Sequence, residues 1–266
     1  MFDADLLKSK LTGIIGRDIR FFEQTDSTNK VALNLAFKGA PEGTVVIADS
    51  QTGGRGRLGR SWFSPPGKNI YTSIIIRPAI DPVAASQVTL MTGVAVAELL
   101  EAFCPGQIYL KWPNDVLANG RKICGILAES RATAVKVDYI VIGIGINVNM
   151  EEGDAEDDLR DIATSVKIET GKDVPREELA AALFRNFEKW YTCFLQQGFA
   201  PVREEWLRRS RMIGKDVSFY SNGAEVRGRV TGMDFDGALI CKNNGETKRI
   251  TAGEITFSRS AQHHGR

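Results

Sequence analysis

The residues best equipped for chemistry are crowded into one loop. QTGGRGRLGRSW, residues 51–62, holds four glycines and three arginines in twelve positions. Glycines let backbone amides approach an anion closely, and guanidinium groups add fixed charged donors. The loop contains G-x-G-x-x-G (Gly54, Gly56, Gly59), the pattern of a dinucleotide fingerprint. It also reads as a P-loop with Arg60 where lysine belongs, and its R-G-R core could serve a nucleic-acid-binding arm. Both nucleotide patterns must open a helix whose N-terminus holds the phosphates. Here the loop runs into WFSPPG, and Pro65-Pro66 followed by Gly67 prevents a useful helix at that point. No acidic residue stands about 20 positions further on to hold a ribose, as the dinucleotide fold requires. What survives is an anion-binding loop, or an ordinary surface loop.

Four other stretches could share that chemistry. KWPND (Lys111, Trp112, Pro113, Asn114, Asp115) ends a strand in a proline-fixed turn, so that Asn and Asp point in defined directions. Asparagine can read a base edge, and aspartate can hold Mg²⁺ or orient an amine. A plain Asx turn is the alternative. RKICGI (residues 121–126) puts Lys122 three positions before Gly125; a strand glycine often marks close approach to a ligand, although Lys122 alone reads as a solvated hairpin lysine. GIGIN (143–147) has two glycines before Asn147, consistent with a ligand or with tight packing against a helix. DSTN (26–29) is a helix cap that could also bind a ligand.

Elements to position these residues follow from pattern. Strands are expected over 17–23, 43–50, 69–78, 108–112 and 137–149. A helix capped by Asp26 or Ser27 carries Val31, Leu35 and Phe37 as its apolar positions and stops at Gly39. Asp81-Pro82 starts a helix running to about Phe103, and Asn119-Gly120 marks a hairpin. Acidic residues 151–161 read as a solvated loop, 176–198 as a long amphipathic helix, and a second helix follows Pro201. From about Gly214 to Phe257, short strands separated by Asn222-Gly223, Asp236-Gly237 and Asn244-Gly245 suggest a small β-barrel. The tail beyond 259 is expected to be disordered.

Composition narrows the chemistry. A net charge of +1 gives no general pull toward nucleic acid. Four widely spaced cysteines with no C-x-x-C read as reduced core thiols. Two histidines, His263 and His264, both lie in the tail, so catalysis must run on lysine, arginine, carboxylates and backbone amides. No apolar run long enough for a bilayer and no signal-peptide core is evident, which reads as cytoplasmic.

Taken in order, DSTN, GRGRLGRSWFSP, KWPND, RKICGIL and GIGIN resemble the catalytic domain of biotin protein ligases, over about residues 17–259. The resemblance implies an α+β fold: a mixed β-sheet flanked by helices, like class II aminoacyl-tRNA synthetases, over residues 1–211. An SH3-like β-barrel over 212–259 and a tail of 260–266 complete it. It implies that biotin attacks the α-phosphate of ATP, with Mg²⁺, to give biotinyl-5′-AMP and pyrophosphate. The biotinyl group then passes to a lysine of biotin carboxyl carrier protein of acetyl-CoA carboxylase, or of similar acceptor domains. Pressing two anions together costs about 4 kcal/mol at 4 Å and an effective dielectric near 20, so fixed cations are needed.

By the same resemblance, Lys122, Arg57 and Asp115 are the catalytic residues, Asp115 holding Mg²⁺ or accepting the acceptor lysine's proton. Ser27, Thr28, Asn29, Gln51, Arg55, Gly56, Arg57, Lys122 and Gly125 contact biotin. Arg55, Arg57, Trp62, Lys111, Asn114 and Asn147 contact the nucleotide, with Trp62 near adenine. The loop is expected to be disordered at 53–61 without ligand and to fold over the adenylate as a lid. Only about 16 residues precede the first expected strand, so a repressor domain, specific DNA and membrane partners are not expected; a homodimer stays open. A lipoate–protein ligase and a biotin sensor without turnover are the rivals.

Overall fold

The computed structural model describes residues 2–154, 160–221 and 224–257. The Asn222-Gly223 turn, both histidines, the tail and part of the acidic stretch lie outside them. A seven-stranded mixed sheet carries the first domain, in the order β1-β2-β3-β7-β6-β5-β4. Its strands are β1 (Ile19–Thr25), β2 (Val45–Gln51), β3 (Ile70–Ile76), β4 (Ile108–Lys111), β5 (Asp115–Ala118), β6 (Arg121–Ala132) and β7 (Val137–Ile146). β1 and β2 are parallel; the remaining pairs are antiparallel. Central β3 is buried throughout, as its run of isoleucines requires. Asn119 and Gly120, both at positive φ, close the β5–β6 hairpin as expected.

Side-chain alternation gives the sheet two faces. Ile140, Ile142, Ile144 and Ile146 join the main core, whereas Tyr139 and Val141 pack in a separate small cluster. The main core is covered by α3 (Ala85–Glu101), α5 (Arg176–Gln197) and α6 (Ala200–Arg209). Helix α3 begins as expected: Asp81 accepts Val83 N–H in a 3₁₀ turn over Pro82–Ala84 that runs into the helix. By length and mean hydropathy of 1.5 the segment Pro82–Glu101 could span a bilayer, contrary to the sequence reading. Its burial from Val88 to Leu100 reflects packing inside this domain. The smaller helices are α1 (Ala4–Ser9), where no element was expected, and α4 (Val166–Thr170).

Helix α2 (Thr28–Phe37) covers the other face, and its buried stripe differs from the expected one. Asn29, Ala32 and Ala36 face the sheet, Val31 and Leu35 pack half-buried beside them, and Phe37 is exposed. The reason is clearance: a Cβ on Gly143 would sit 2.1 Å from Asn29 Oδ1. A helix that close admits only small or flat side chains.

The C-terminal part is a five-stranded antiparallel sheet, β11-β10-β9-β8-β12. It comprises β8 (Asp216–Ser221), β9 (Ala224–Met233), β10 (Leu239–Asn243), β11 (Glu246–Ile250) and β12 (Ile255–Phe257). Turns at Asp236-Gly237 and Asn244-Gly245 fall where expected, with positive φ at Gly237, Asn244 and Gly245. It joins the first domain through Trp112 Nε1, which donates to Gly237 O at 3.1 Å, and through Arg203, whose Nη2 donates to Met233 O at 2.7 Å. Cys104, Cys124 and Cys241 are free and buried; Cys193 is half-buried.

Phe187 on α5 is fully buried in the core. Phe187→Ala should cost about 3–5 kcal/mol of stability. This is measured as a lower urea midpoint at unchanged slope; an unshifted midpoint would contradict the packing.

Candidate active site

Glycines carve the site out of the α2 face. Gly125 pairs with Gly145, and Gly143 with Leu127 and Ser73, so three positions on one face lack side chains. The resulting hollow is a tight inner pocket. Trp62 lies in it: a Cβ on Gly125 would stand 2.7 Å, and one on Gly145 2.5 Å, from its indole. For Gly143 the neighbour is α2 itself, so the tight-packing reading of GIGIN holds there.

The loop of residues 52–61 folds back over this hollow. It forms no α-helix, only a 3₁₀ turn at Arg57–Gly59, so both nucleotide fingerprints fail in the structure as they do in the sequence. Gly56 N donates to Arg60 O at 2.7 Å and Trp62 N to Gly54 O at 2.9 Å, giving the loop a defined shape. Leu58 stands at its tip, exposed and at φ 56. Arg60 pairs with Glu254 of the C-terminal sheet through two hydrogen bonds of 2.6 Å.

Three cations of the site are each held by the protein. Arg55 Nη2 donates to Glu129 Oε2 at 2.7 Å. Arg57 Nη1 donates to Asn114 Oδ1 at 3.1 Å. Burial pulls the Arg57 guanidinium below its ordinary pKa, while Asp115 and Glu254 oppose that shift. Lys122 Nζ lies 2.6 Å from Asp115 Oδ1 and 5.3 Å from the centre of the Trp62 ring. Its backbone is also fixed, because Lys122 N donates to Ile162 O and its carbonyl accepts Thr164 N. A register shift opposite Val116/Leu117 gives β6 an extra residue and turns Lys122 onto the same face as Gly125.

A polar network lines the pocket's far end. Thr28 N and Oγ1 donate to Gln51 Oε1 at 2.9 and 3.2 Å, and Gln51 Nε2 donates to Ser64 Oγ at 2.9 Å. Ser27 is buried beside them. Asn29 spends its amide on the protein, donating to Leu127 O and Glu129 and accepting from Ser73. Two buried donors that line the pocket, Arg55 Nε and Trp62 Nε1, have no partner.

A larger outer pocket of about 1260 Å³ is lined by Trp62, Lys111, Asp115, Lys122, Asn147 and Glu254 among others. Asn147 donates to Thr164 O, and Lys111 Nζ lies 5.9 Å from the Phe257 ring. Trp62 and Lys122 border both pockets. The structure thus gathers Ser27, Thr28, Asn29, Gln51, Arg55, Gly56, Arg57, Trp62, Asn114, Lys122 and Gly125 around the inner pocket. Lys111, Asp115 and Asn147 stand at the outer one. Sequence reading missed Glu129, Ser73, Ser64 and Glu254. Glu129 was within reach, since a strand period of two from Gly125 points to it.

Comparisons with known proteins give the family. Residues 21–147 match the biotin/lipoate A/B protein ligase family, and 212–258 match the biotin protein ligase C-terminal domain. The chain is 37% identical over 244 residues to the bifunctional ligase/repressor BirA of Bacillus subtilis, covering 92% of this chain and 75% of that protein. It is 36% identical to a biotin–[acetyl-CoA-carboxylase] ligase of Paracoccus denitrificans, covering 88% and 98%. A biotin protein ligase from Aquifex aeolicus in complex with biotin and ATP superposes with a TM-score of 0.77 at 29% identity, covering 92% and 100%. The chain belongs to the biotin/lipoate A/B protein ligase family.

The clearance at Gly143 is directly testable. Gly143→Ala puts a methyl 2.1 Å from Asn29 Oδ1 and should cost about 1–3 kcal/mol, as overpacking does. Denaturant unfolding measures it, and unchanged stability would refute the close approach.

Proposed function

We propose that this member of the family is a biotin–[acetyl-CoA-carboxylase] ligase. It makes biotinyl-5′-AMP and pyrophosphate from biotin and ATP, then transfers the biotinyl group to a lysine of a biotin carboxyl carrier protein. The observation that carries this reading is the meeting of two pockets at Lys122. The inner pocket ends in neutral hydrogen-bonding groups and suits a small polar head. The outer one is larger and suits a nucleotide.

In the first step a biotin carboxylate oxygen attacks the α-phosphorus, and the bond to the bridging oxygen of pyrophosphate breaks. Lys122 and Arg57 stand where carboxylate and phosphate approach, offsetting their repulsion and the charge of the transition state. Ser27, Thr28 and Gln51 hydrogen-bond the biotin head, and Gly125 borders it beneath the Trp62 indole. Asn29 shapes that end of the pocket. Arg55 and the glycine-rich loop around Gly56 wrap the adenylate. Trp62, Lys111, Asn114 and Asn147 serve the nucleotide. In the second step the neutral lysine amine attacks the acyl carbon, AMP leaves, and Asp115 accepts the amine's proton.

Magnesium enters with the nucleotide. Among the described residues no group of three or more His, Cys, Asp or Glu could hold an ion. One carboxylate plus substrate phosphates is an ordinary Mg²⁺ environment, and Asp115 at the outer pocket fits that part.

Residues 1–211 form the catalytic domain in this reading, and 212–259 an SH3-like barrel. Five short antiparallel strands with a bulge between Ile240 and Cys241 support the barrel. The enzyme works in the cytoplasm without a specific DNA partner. A lipoate ligase is the rival, and the substrate separates them.

Mass spectrometry of a carrier domain incubated with enzyme, Mg-ATP and biotin should show biotinyl-lysine; modification with lipoate alone would overturn the reading. Lys122→Ala should raise the barrier to adenylate formation by roughly 2.7–4 kcal/mol, the scale of one lost electrostatic contact. An unchanged kcat would remove Lys122 from the mechanism. Arg57→Gly should release biotinyl-5′-AMP into solution, detected as labelling of lysines on bystander proteins; no rise in labelling would mean the loop is not a lid.

A further inference from the structure

Glu129 stands on the pocket face of β6, four residues beyond Gly125, and one of its oxygens does two things. Oε2 accepts Arg55 Nη2 at 2.7 Å and Asn29 Nδ2 at 2.8 Å. Arg55 belongs to the loop above the pocket, and Asn29 to the helix beneath it. The carboxylate therefore ties the lid to the floor.

Both contacts have consequences for a ligand. With Nη2 engaged, the guanidinium is held at one corner, and its buried Nε–H has no partner. On the other side, a carboxylate can only accept. Together with the Leu127 carbonyl it makes Asn29 present its amide N–H₂, which turns Oδ1 toward Ser73. The Ser73 hydroxyl donates to that oxygen at 2.6 Å and lies 2.9 Å from Thr28 Oγ1. Thr28 in turn reaches Gln51, and Gln51 reaches Ser64 Oγ, which donates to Trp62 O at 2.9 Å. Ser73 gives its one hydroxyl proton to Asn29, and Thr28 gives its own to Gln51, whose orientation the Thr28 backbone N–H also fixes.

We propose that Glu129 is a positioning residue for the ligase reaction: it anchors Arg55 over the pocket that takes the biotin head. This rests on the ligase reading above. Glu129 touches neither reacting centre, so its loss acts through Arg55. Glutamine in its place keeps the shape but removes the charge that holds the guanidinium, while Leu127 O still holds the Asn29 amide.

The test compares wild type, Glu129→Gln, Glu129→Asp, Arg55→Ala and the Arg55→Ala/Glu129→Gln double variant. The readouts are KM for biotin and for ATP, kcat of pyrophosphate exchange, and the release rate of preformed biotinyl-5′-AMP. In Glu129→Gln, biotin KM and adenylate release should each rise about tenfold, with ATP KM and kcat within about twofold, and the double variant should be no worse than Arg55→Ala, since groups in one network are not additive. Glu129→Asp keeps the charge and should recover part of the loss. Unchanged biotin KM and release in Glu129→Gln, or fully additive effects in the double variant, would overturn the proposal. If Glu129→Gln does not fold, Glu129→Asp decides by the same two readouts. A wild-type protein that makes no biotinyl-5′-AMP would sink the ligase reading instead.

Discussion

Three cations crowd one small pocket, and keeping them there before any anion arrives is the constraint that the rest of the site serves. Like charges a few ångströms apart repel by several kcal/mol when poorly solvated. The fold answers each with a fixed acceptor. Asp115 stands against Lys122, Glu129 against Arg55, and Asn114 against Arg57. Two of these acceptors come from the β5–β6 hairpin and the third from the turn just before it. That hairpin is therefore both the wall of the pocket and the source of its electrostatic balance. Its own position is held by Glu169 of α4, whose buried carboxylate accepts from Arg121 at 3.0 Å and from Asn119 at 2.6 Å.

The pocket itself is a matter of missing atoms. Gly125, Gly143 and Gly145 lie on one face of adjacent strands, where side chains would fill the space. Strands give up packing energy and chain entropy at such positions. Trp62 and Asn29 recover some of the contact by lying directly on the exposed backbone. The same shallow surface draws α2 so close that alanine, not a larger apolar residue, faces the sheet. The choice of small residues on the helix and the hollow for a ligand thus have one cause. On the other face the isoleucines of β7 pack against a full core, which keeps the sheet rigid behind the site.

Much of this was legible in the sequence. The isoleucine-rich strands, the Asn119-Gly120 hairpin and the Asp81-Pro82 helix start follow local rules of conformation, so their positions came out close to those observed. Pro65-Pro66 excluded a nucleotide-binding helix for the same local reason. The stripe of α2 came out in part: Val31 and Leu35 pack against the small cluster, but the clearance over Gly143 puts Asn29, Ala32 and Ala36 nearest the sheet and Phe37 is exposed. The apolar segment of α3 is likewise ambiguous in one dimension: its length and hydropathy suit a bilayer, and only packing shows what covers it.

By itself the sequence determined which chemical groups are present and where turns and strands must fall, because these depend on side-chain type and near neighbours. Through the family resemblance it also named most of the polar residues around the inner pocket, but few of those around the outer one. Which of those groups face one another was decided by tertiary structure. Lys122 joins the face of Gly125 because of a one-residue bulge against β5, and strict alternation would have turned it away. Glu129 meets Arg55 and Asn29 across separations of 74 and 100 residues. Contacts of that kind come from strand register and helix placement, which are set by burial over the whole sheet and not by any local stretch of chain.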